Sequence, residues 1–347
     1  MIAPDLVVRR APPVPSKVYD TLWRFACERQ AIFHRRLAGR QAPWTDDPIL
    51  KVHRFTNAYR ASDRVSQYLI RNVIYRSDLP SAPREVIFRV LLFKLFNRID
   101  TWNRLDSAFG PLTAAGFRFA LFANELDRVR REGQRLYSAA YIMPSTGPLG
   151  ESAKHRGHLR LLEKIISGGM DARVGRARSI EEIFRLLLAY PTLGPFLAFQ
   201  FAIDLNYSEI VDFSEMDFVV AGPGAVDGLR KCFVSFGDYS AADVIRWVTD
   251  RQELDPERLG LGFPGLFGRP LQLIDTQNLF CEVSKYARVA HPDIRGSNGR
   301  NRIKQLYKVG LPAPHLFFPP KWGINESVPE SARAIAASDL RQPLLVE

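Results

Sequence analysis

Apolar positions along the chain recur mostly at helical spacing. From Lys17 to about residue 40, Trp23, Phe25, Ile32, Phe33 and Leu37 supply one face of an amphipathic helix. Residues 41–48 include Pro43 and Pro48 and read as a loop. A second helix is predicted over 57–76, where Val65, Leu69 and Val73 stand four apart. Pro80 and Pro83 interrupt the chain, and a third helix is predicted over 84–105. This segment is apolar on every side, the pattern of a buried helix. Further helices are predicted at about 113–136, 151–167, 179–190, 195–206, 223–235, 240–253 and 273–288. Pro/Gly loops fall at 144–150 and 168–177. Strand-like runs are few; Tyr141-Ile142-Met143 and Phe218-Val219-Val220 are the candidates. The expected fold class is therefore mainly α, a helical array with few or no strands. Residues 1–16, with Pro12, Pro13 and Pro15, are expected to be an unstructured lead-in, and the proline-rich stretch from Pro312 to wrap over the surface.

Composition adds a direction. The 347 residues carry a formal net charge of +11. Residues 1–150 hold 24 Lys and Arg against 13 Asp and Glu, and the remainder hold equal numbers, so the whole excess lies in the first 150 residues. Such asymmetry is the footprint of a polyanion binder, and the abundance of Arg favours bidentate phosphate contact. DNA is the expected partner. No apolar run is long enough to span a bilayer and no leader pattern opens the chain, so no membrane partner and a cytoplasmic location are expected. Three dispersed cysteines exclude a disulfide framework and a cysteine-only metal or iron–sulfur site. His155 and His158 are a close histidine pair without companions that would complete a zinc site; beside Lys154 they read as phosphate-facing. No P-loop, zinc-deaminase or nucleophile-elbow motif occurs, and no metal or cofactor is expected.

The most informative segment is Tyr190-Pro191-Thr192-Leu193-Gly194-Pro195-Phe196, in which one helix ends at a tight turn and another begins with proline. The backbone N–H groups opening that second helix can hold a DNA phosphate. Asp217 follows Gly194 after the second helix and a loop. This arrangement resembles the helix-hairpin-helix DNA glycosylases. The resemblance implies that Asp217 opens a helix and assists breakage of the glycosidic bond, with Leu193 and Gly194 as the hairpin. Asp212 and Glu215 are its close competitors. Phe196 stands near where bifunctional members carry a lysine, which implies hydrolysis without Schiff-base chemistry.

Five ordered blocks sharpen the resemblance. They are Arg54-Phe55-Thr56-Asn57-Ala58-Tyr59-Arg60-Ala61-Ser62-Asp63-Arg64, Phe93-Lys94-Leu95-Phe96-Asn97, Asp204-Leu205-Asn206-Tyr207-Ser208, Glu215-Met216-Asp217-Phe218 with Gly222-Pro223-Gly224-Ala225, and Gln277-Asn278-Leu279-Phe280-Cys281-Glu282. Together they are similar to the helical domain attached to 5-hydroxymethyluracil DNA kinases, also described as the α-glutamyl/putrescinyl thymine pyrophosphorylase clade. The resemblance implies a glycosylase-like fold acting on hypermodified pyrimidines of phage DNA. The expected activity is a monofunctional glycosylase that excises such a base, glucosylated 5-hydroxymethylcytosine for example, as anti-phage defence. The alternatives are a transferase acting on activated 5-hydroxymethyluracil, or a non-enzymatic reader. The expected organisation is a basic helical subdomain over 17–150, a helix-hairpin-helix catalytic subdomain over 151–325 and a tail over 326–347, in a monomer.

Polar side chains at helical spacing supply the rest of the candidate site. His53, Asn57, Arg60, Arg64, Gln67 and Arg71 recur every three or four residues and are expected on one helix stripe. Asn57, Arg60 and Gln67 are assigned to a base pocket with Lys94, Asn97, Asn206, Tyr207, Gln277, Asn278 and Glu282, placed between the two halves. Arg64, Arg71, Lys154, His155, Gly222 and Gly224, with the hairpin, are assigned to the DNA backbone.

Overall fold

The computed structural model describes residues 10–139, 143, 146–297, 299–308 and 315–333. The fold is mainly α. In chain order the helices are α1 (Lys17–Leu37), α2 (Pro48–Val52), α3 (Arg64–Tyr68), α4 (Pro83–Phe96), α5 (Ile99–Phe109), α6 (Phe119–Arg131) and α7 (Lys154–Ser167). They continue with α8 (Met170–Val174), α9 (Ile180–Leu188), α10 (Pro195–Asn206), α11 (Pro223–Cys232), α12 (Ala241–Thr249), α13 (Leu254–Arg258) and α14 (Leu273–Ala290). A short antiparallel pair, β1 (Val14–Pro15) and β2 (Phe233–Ser235), is the one sheet among the described residues. The chain packs as two units that interleave in sequence: residues 1–60 with 219–311, and residues 61–218 with 312–347. This division differs from one at residue 150, because the first helix packs with the late helices rather than with its neighbours in sequence.

In the first unit α1 turns Val18, Leu22, Trp23, Phe25 and Ala26 inward against α14 and α11. Ser16 caps it, accepting from the Val18 N–H at 3.1 Å, while its own N–H reaches the Cys232 carbonyl at 2.8 Å. The central contact is α11 on α14. Gly228 lies on the α14 backbone, where a Cβ would stand 1.9 Å from the Phe280 carbonyl oxygen; one at Gly224 would stand 2.4 Å from Cys281 Sγ. Glycines four apart on α11 thus let the two backbones meet. A Lys–Asp pair is buried beside this crossing. Lys231 Nζ lies 3.2 Å from Asp227 and donates to the Ser284 carbonyl at 2.9 Å.

In the second unit α4 buries every residue from Val86 to Phe96, as its all-round apolar sequence requires. The helix expected over 84–105 is broken by Asn97, which caps α4 in the left-handed conformation (φ 50°) that asparagine tolerates. The helix expected over 57–76 does not form as one piece. Residues 54–59 are irregular, Arg60–Ser62 make a 3-10 turn, and α3 runs into a π-helical turn, Leu69–Ile74. Asp63, extended at the start of α3, interrupts the backbone ladder. The 168–177 loop contains α8, entered through left-handed Gly169. Helix 240–253 is shorter than expected, since a Ser240/Asp243 capping box opens α12 and α13 follows separately. Phe218-Val219-Val220 is not a strand; Tyr141 and Ile142 lie outside the described residues.

Replacing Gly228 by alanine should lower unfolding stability by about 2 kcal/mol or more, because helix backbone, not a side-chain tip, occupies the space. Gly224→Ala should cost less, since Cys281 can turn its thiol away. Denaturant titration of the two variants measures the difference.

Candidate functional site

In the second unit α9 and α10 pack on each other, joined by a tight turn. Ser179 caps α9 by accepting from the Glu182 N–H at 3.1 Å. The chain then reverses through Thr192, which has a positive φ of 74°, and Leu193 is buried beneath the turn. Gly194 is the exposed, extended N-cap of α10, with Pro195 as first helical residue. A Cβ at Gly194 would meet nothing within 4 Å, so the backbone here faces open space. The opening N–H groups of α10 are thus available to an anion.

Behind the hairpin a loop leads to Asp217, and its ties are explicit. Asn206, the last residue of α10, donates to the Phe213 carbonyl at 2.9 Å and accepts from its N–H at 3.0 Å. Lys321 Nζ donates to the carbonyls of Ser208 and Val211 at 2.9 and 2.6 Å, and burial pushes its pKa down. Tyr75 donates to the Tyr207 carbonyl at 2.9 Å, and the Tyr207 ring meets Trp322 edge-on. Asp217 itself is exposed on a turn whose N–H reaches the Ser214 carbonyl at 3.3 Å. It does not open a helix, since α11 begins only at Pro223. The next side chain, Phe218, packs on Phe184 of α9 at 5.1 Å and on Phe199 of α10 at 5.8 Å. Packing of Phe218 therefore holds the chain at 217–218 beside α9 and α10, although it is irregular there. Of its competitors, Asp212 is exposed with Lys321 Nζ at 3.5 Å, and Glu215 is buried.

Other assigned residues of this unit are more deeply placed. Lys94 donates to Asn97 at 2.9 Å and pairs with Asp204 of α10 at 3.2 Å, all three buried. Asp204 sits in a block that the sequence singles out, yet was not itself assigned. Gln67 is buried, donating to the Ala61 carbonyl and accepting from the Phe317 N–H, both at 2.8 Å. Arg71 is buried and donates to the His315 carbonyl at 3.0 Å. Both fasten residues 315–317, whereas Arg64 is half-exposed on α3. His155 is buried, with Asp127 at 2.7 Å, and burial pushes its pKa down; a phosphate contact would need an exposed ring. Lys154 donates to the Met143 carbonyl and lies over the Tyr137 ring.

The remaining assigned residues belong to the first unit. Asn57 accepts from Arg29 at 2.6 Å. Glu282 accepts from the Thr56 N–H at 2.9 Å and pairs with Lys285 at 2.7 Å. Gln277 is buried and Asn278 half-buried on α14. Gly222 is the buried N-cap of α11, and Gly224 serves the contact with Cys281 rather than an open turn. His53, Asn57, Arg60, Arg64, Gln67 and Arg71 do not share one helix: Arg64 and Gln67 lie on α3 and Arg71 on the π-helical turn that continues it, whereas the first three precede the break at Asp63. One carboxylate escaped the sequence reading. Asp275, buried on the first turn of α14, accepts from the N–H groups of Arg60 (2.8 Å) and Gln272 (3.1 Å), while burial pushes its pKa up to about 6. Its signal was present: Gln272 followed three residues later by Asp275 is a capping box.

Residues 16–296 match the family described as the 5-hmdU DNA kinase helical domain. The chain belongs to this family. It is 28% identical over 297 residues to the 5-hmdU DNA kinase of Bacillus phage SP10, an alignment covering 80% of this chain and 46% of that protein. The helical-domain chain thus spans about half the length of the curated relative it matches. No solved structure matches it. Among the described residues, no helix is long and apolar enough to cross a membrane.

Two outcomes follow for the buried groups. Removing either partner of the Lys94–Asp204 pair, as in Lys94→Met or Asp204→Ala, should destabilise by about 3–5 kcal/mol, with much of the loss regained in Lys94→Met/Asp204→Leu; denaturant titration checks this. Asp275 holds its proton in the folded state up to about pH 6, whereas the unfolded chain releases it near the ordinary carboxylate value of 3.8. Its contribution to stability should therefore fall as pH rises between about 4 and 6. The slope should flatten in Asp275→Asn, as read from unfolding midpoints across that window.

Proposed function

We propose that this chain is a monofunctional DNA glycosylase acting on a hypermodified pyrimidine, with glucosylated 5-hydroxymethylcytosine as the leading substrate, in defence against phage whose DNA carries it. The observation that carries this reading is an exposed carboxylate, Asp217, directly preceding Phe218, whose ring packs on both α9 and α10. In the reaction the α10 N-terminus holds a backbone phosphate, and the target nucleotide leaves the stack. The bond from C1′ to the base nitrogen breaks, and positive charge develops on the sugar. Asp217 stabilises that charge and orients the water whose oxygen adds to C1′. The base departs with a proton. Phe196 stands at the sequence position near which bifunctional members of the resembled family carry a lysine, so the product is an abasic site.

A second reading is favoured by the comparison. The matched relative's name, 5-hmdU DNA kinase, speaks of group transfer to a modified pyrimidine in DNA, which is nearer to a transferase at the 5-hydroxymethyl group than to base loss. A transferase leaves the glycosidic bond intact and needs a second substrate. A non-enzymatic reader needs neither.

Incubating the protein with DNA containing glucosylated 5-hydroxymethylcytosine, and with unmodified DNA, separates these. Glycosylase action gives free modified base by mass spectrometry and alkali-labile sites in the modified DNA alone. Asp217→Asn should reduce release at least 100-fold with binding retained, and Phe218→Ala should lower it less. A modified nucleotide that changes mass while still attached to DNA would support the transferase. Binding without change, unaffected by Asp217→Asn, would support the reader.

A further inference from the structure

The cationic excess is uneven between the folded units. Residues 1–60 with 219–311 contain 24 Lys and Arg against 15 Asp and Glu; the other unit contains 24 against 22. The unit that lacks the hairpin and Asp217 is therefore the basic one. Three of its exposed cations lie on or next to one backbone pairing. Residues 52–54 and 305–307 run antiparallel, with the Tyr307 N–H on the Val52 carbonyl at 2.9 Å and the Arg54 N–H on the Gln305 carbonyl at 3.1 Å. This pairing sets the segment of exposed Arg54 against the segment that carries exposed Arg302 and Lys304, and among the described residues none of the three makes an ion pair. Val52 and Leu306, 51% and 61% exposed, lie in the same two segments.

Next to this strip stands Trp44. Its indole N–H donates to the Arg40 carbonyl at 2.6 Å, and its carbonyl accepts from Arg35 at 2.6 Å. The Arg36 guanidinium lies over the ring at 5.1 Å, and Tyr307 meets it edge-on at 6.2 Å. The indole lines an open cavity of about 500 Å³, with Arg40 at its edge. The nearby carboxylates are engaged: Glu28 by Arg35, Asp46 by Lys51, and Asp47 by the α2 N-terminus and Tyr286. The uncompensated charge is positive, and the aromatic surface beside it is rigidly held.

We propose that this face binds single-stranded DNA, with an unpaired base stacking on Trp44 in the cavity and the phosphates following Arg40, Arg54, Arg302 and Lys304. A held aromatic ring beside unpaired cations matches a strand that offers base faces and phosphates together. A duplex hides its base faces, and an acidic peptide has no use for the indole. The proposal is independent of the excision chemistry, because it places the contact on the unit without Asp217 and needs no modified base.

The test is fluorescence anisotropy of the full chain with labelled 15-residue oligo-dT, which carries no modified base. Trp44→Ala should weaken binding about tenfold, from the range for one stacked base, while Trp44→Phe stays within about twofold. Arg54→Gln/Lys304→Gln, two exposed positions that leave the core untouched, should lower the slope of log affinity against log salt by about 1.4, near 0.7 for each lost contact. Unchanged affinity in both Trp44→Ala and the double variant overturns the proposal. So does displacement of oligo-dT by polyglutamate as readily as by unlabelled oligo-dT, which would make the face a general anion surface or an acidic-peptide site.

Discussion

A lysine ammonium has no place in a helix core unless a carboxylate meets it, and each unit of this protein buries such a pair among its described residues. In one, Lys94 of the all-buried α4 reaches Asp204 of α10. In the other, Lys231 meets Asp227 on α11 beside Ser284 of α14. Both pairs stand at 3.2 Å and are almost wholly removed from water. The Lys94–Asp204 pair joins two helices, so its desolvation cost is offset only when α4 and α10 meet in one arrangement; the Lys231–Asp227 pair lies within α11 and is tied to α14 through Ser284.

That constraint reaches the candidate site through α10. The helix carries Asp204 near its C-terminal end and the open Gly194–Pro195 start at the other. Fixing α10 on α4 fixes where the hairpin N–H groups point. It also fixes Asn206, which brackets the loop to Phe213, and Phe199, on which Phe218 rests. Asp217 is exposed, yet the residues around it are tied to the hairpin pair by packing and backbone hydrogen bonds. A carboxylate that must meet developing charge on a sugar needs this combination of access and fixed position.

Much of this was legible in the sequence. Long apolar-periodic segments gave α1, α10 and α14 within a few residues, and proline after glycine marked the starts of α10 and α11. The family was legible from blocks of chemistry-bearing residues. What periodicity could not show was where an apparently continuous helix breaks. Asn97 and Asp63 change the backbone without changing the apolar rhythm, so 84–105 and 57–76 read as single helices. The polar stripe from His53 to Arg71 was a product of that second misreading. Nor does spacing tell which polar residue faces inward. Gln67, Arg71, His155 and Asn206 satisfy buried backbone or carboxylate groups, and Gly224 makes room for a thiol. Each looks on paper like a ligand-facing residue, because burial creates the same demand for a polar partner that a ligand would.

The central claim is that Asp217 faces positive charge developing on a sugar of bound DNA. It is tested most directly with duplexes carrying a cationic pyrrolidine in place of the target sugar, compared with the neutral tetrahydrofuran of the same shape. The account predicts that the protein binds the cationic duplex at least tenfold more tightly and that Asp217→Asn abolishes the difference while leaving tetrahydrofuran binding unchanged. Equal affinity for the two duplexes in the unaltered protein would contradict it.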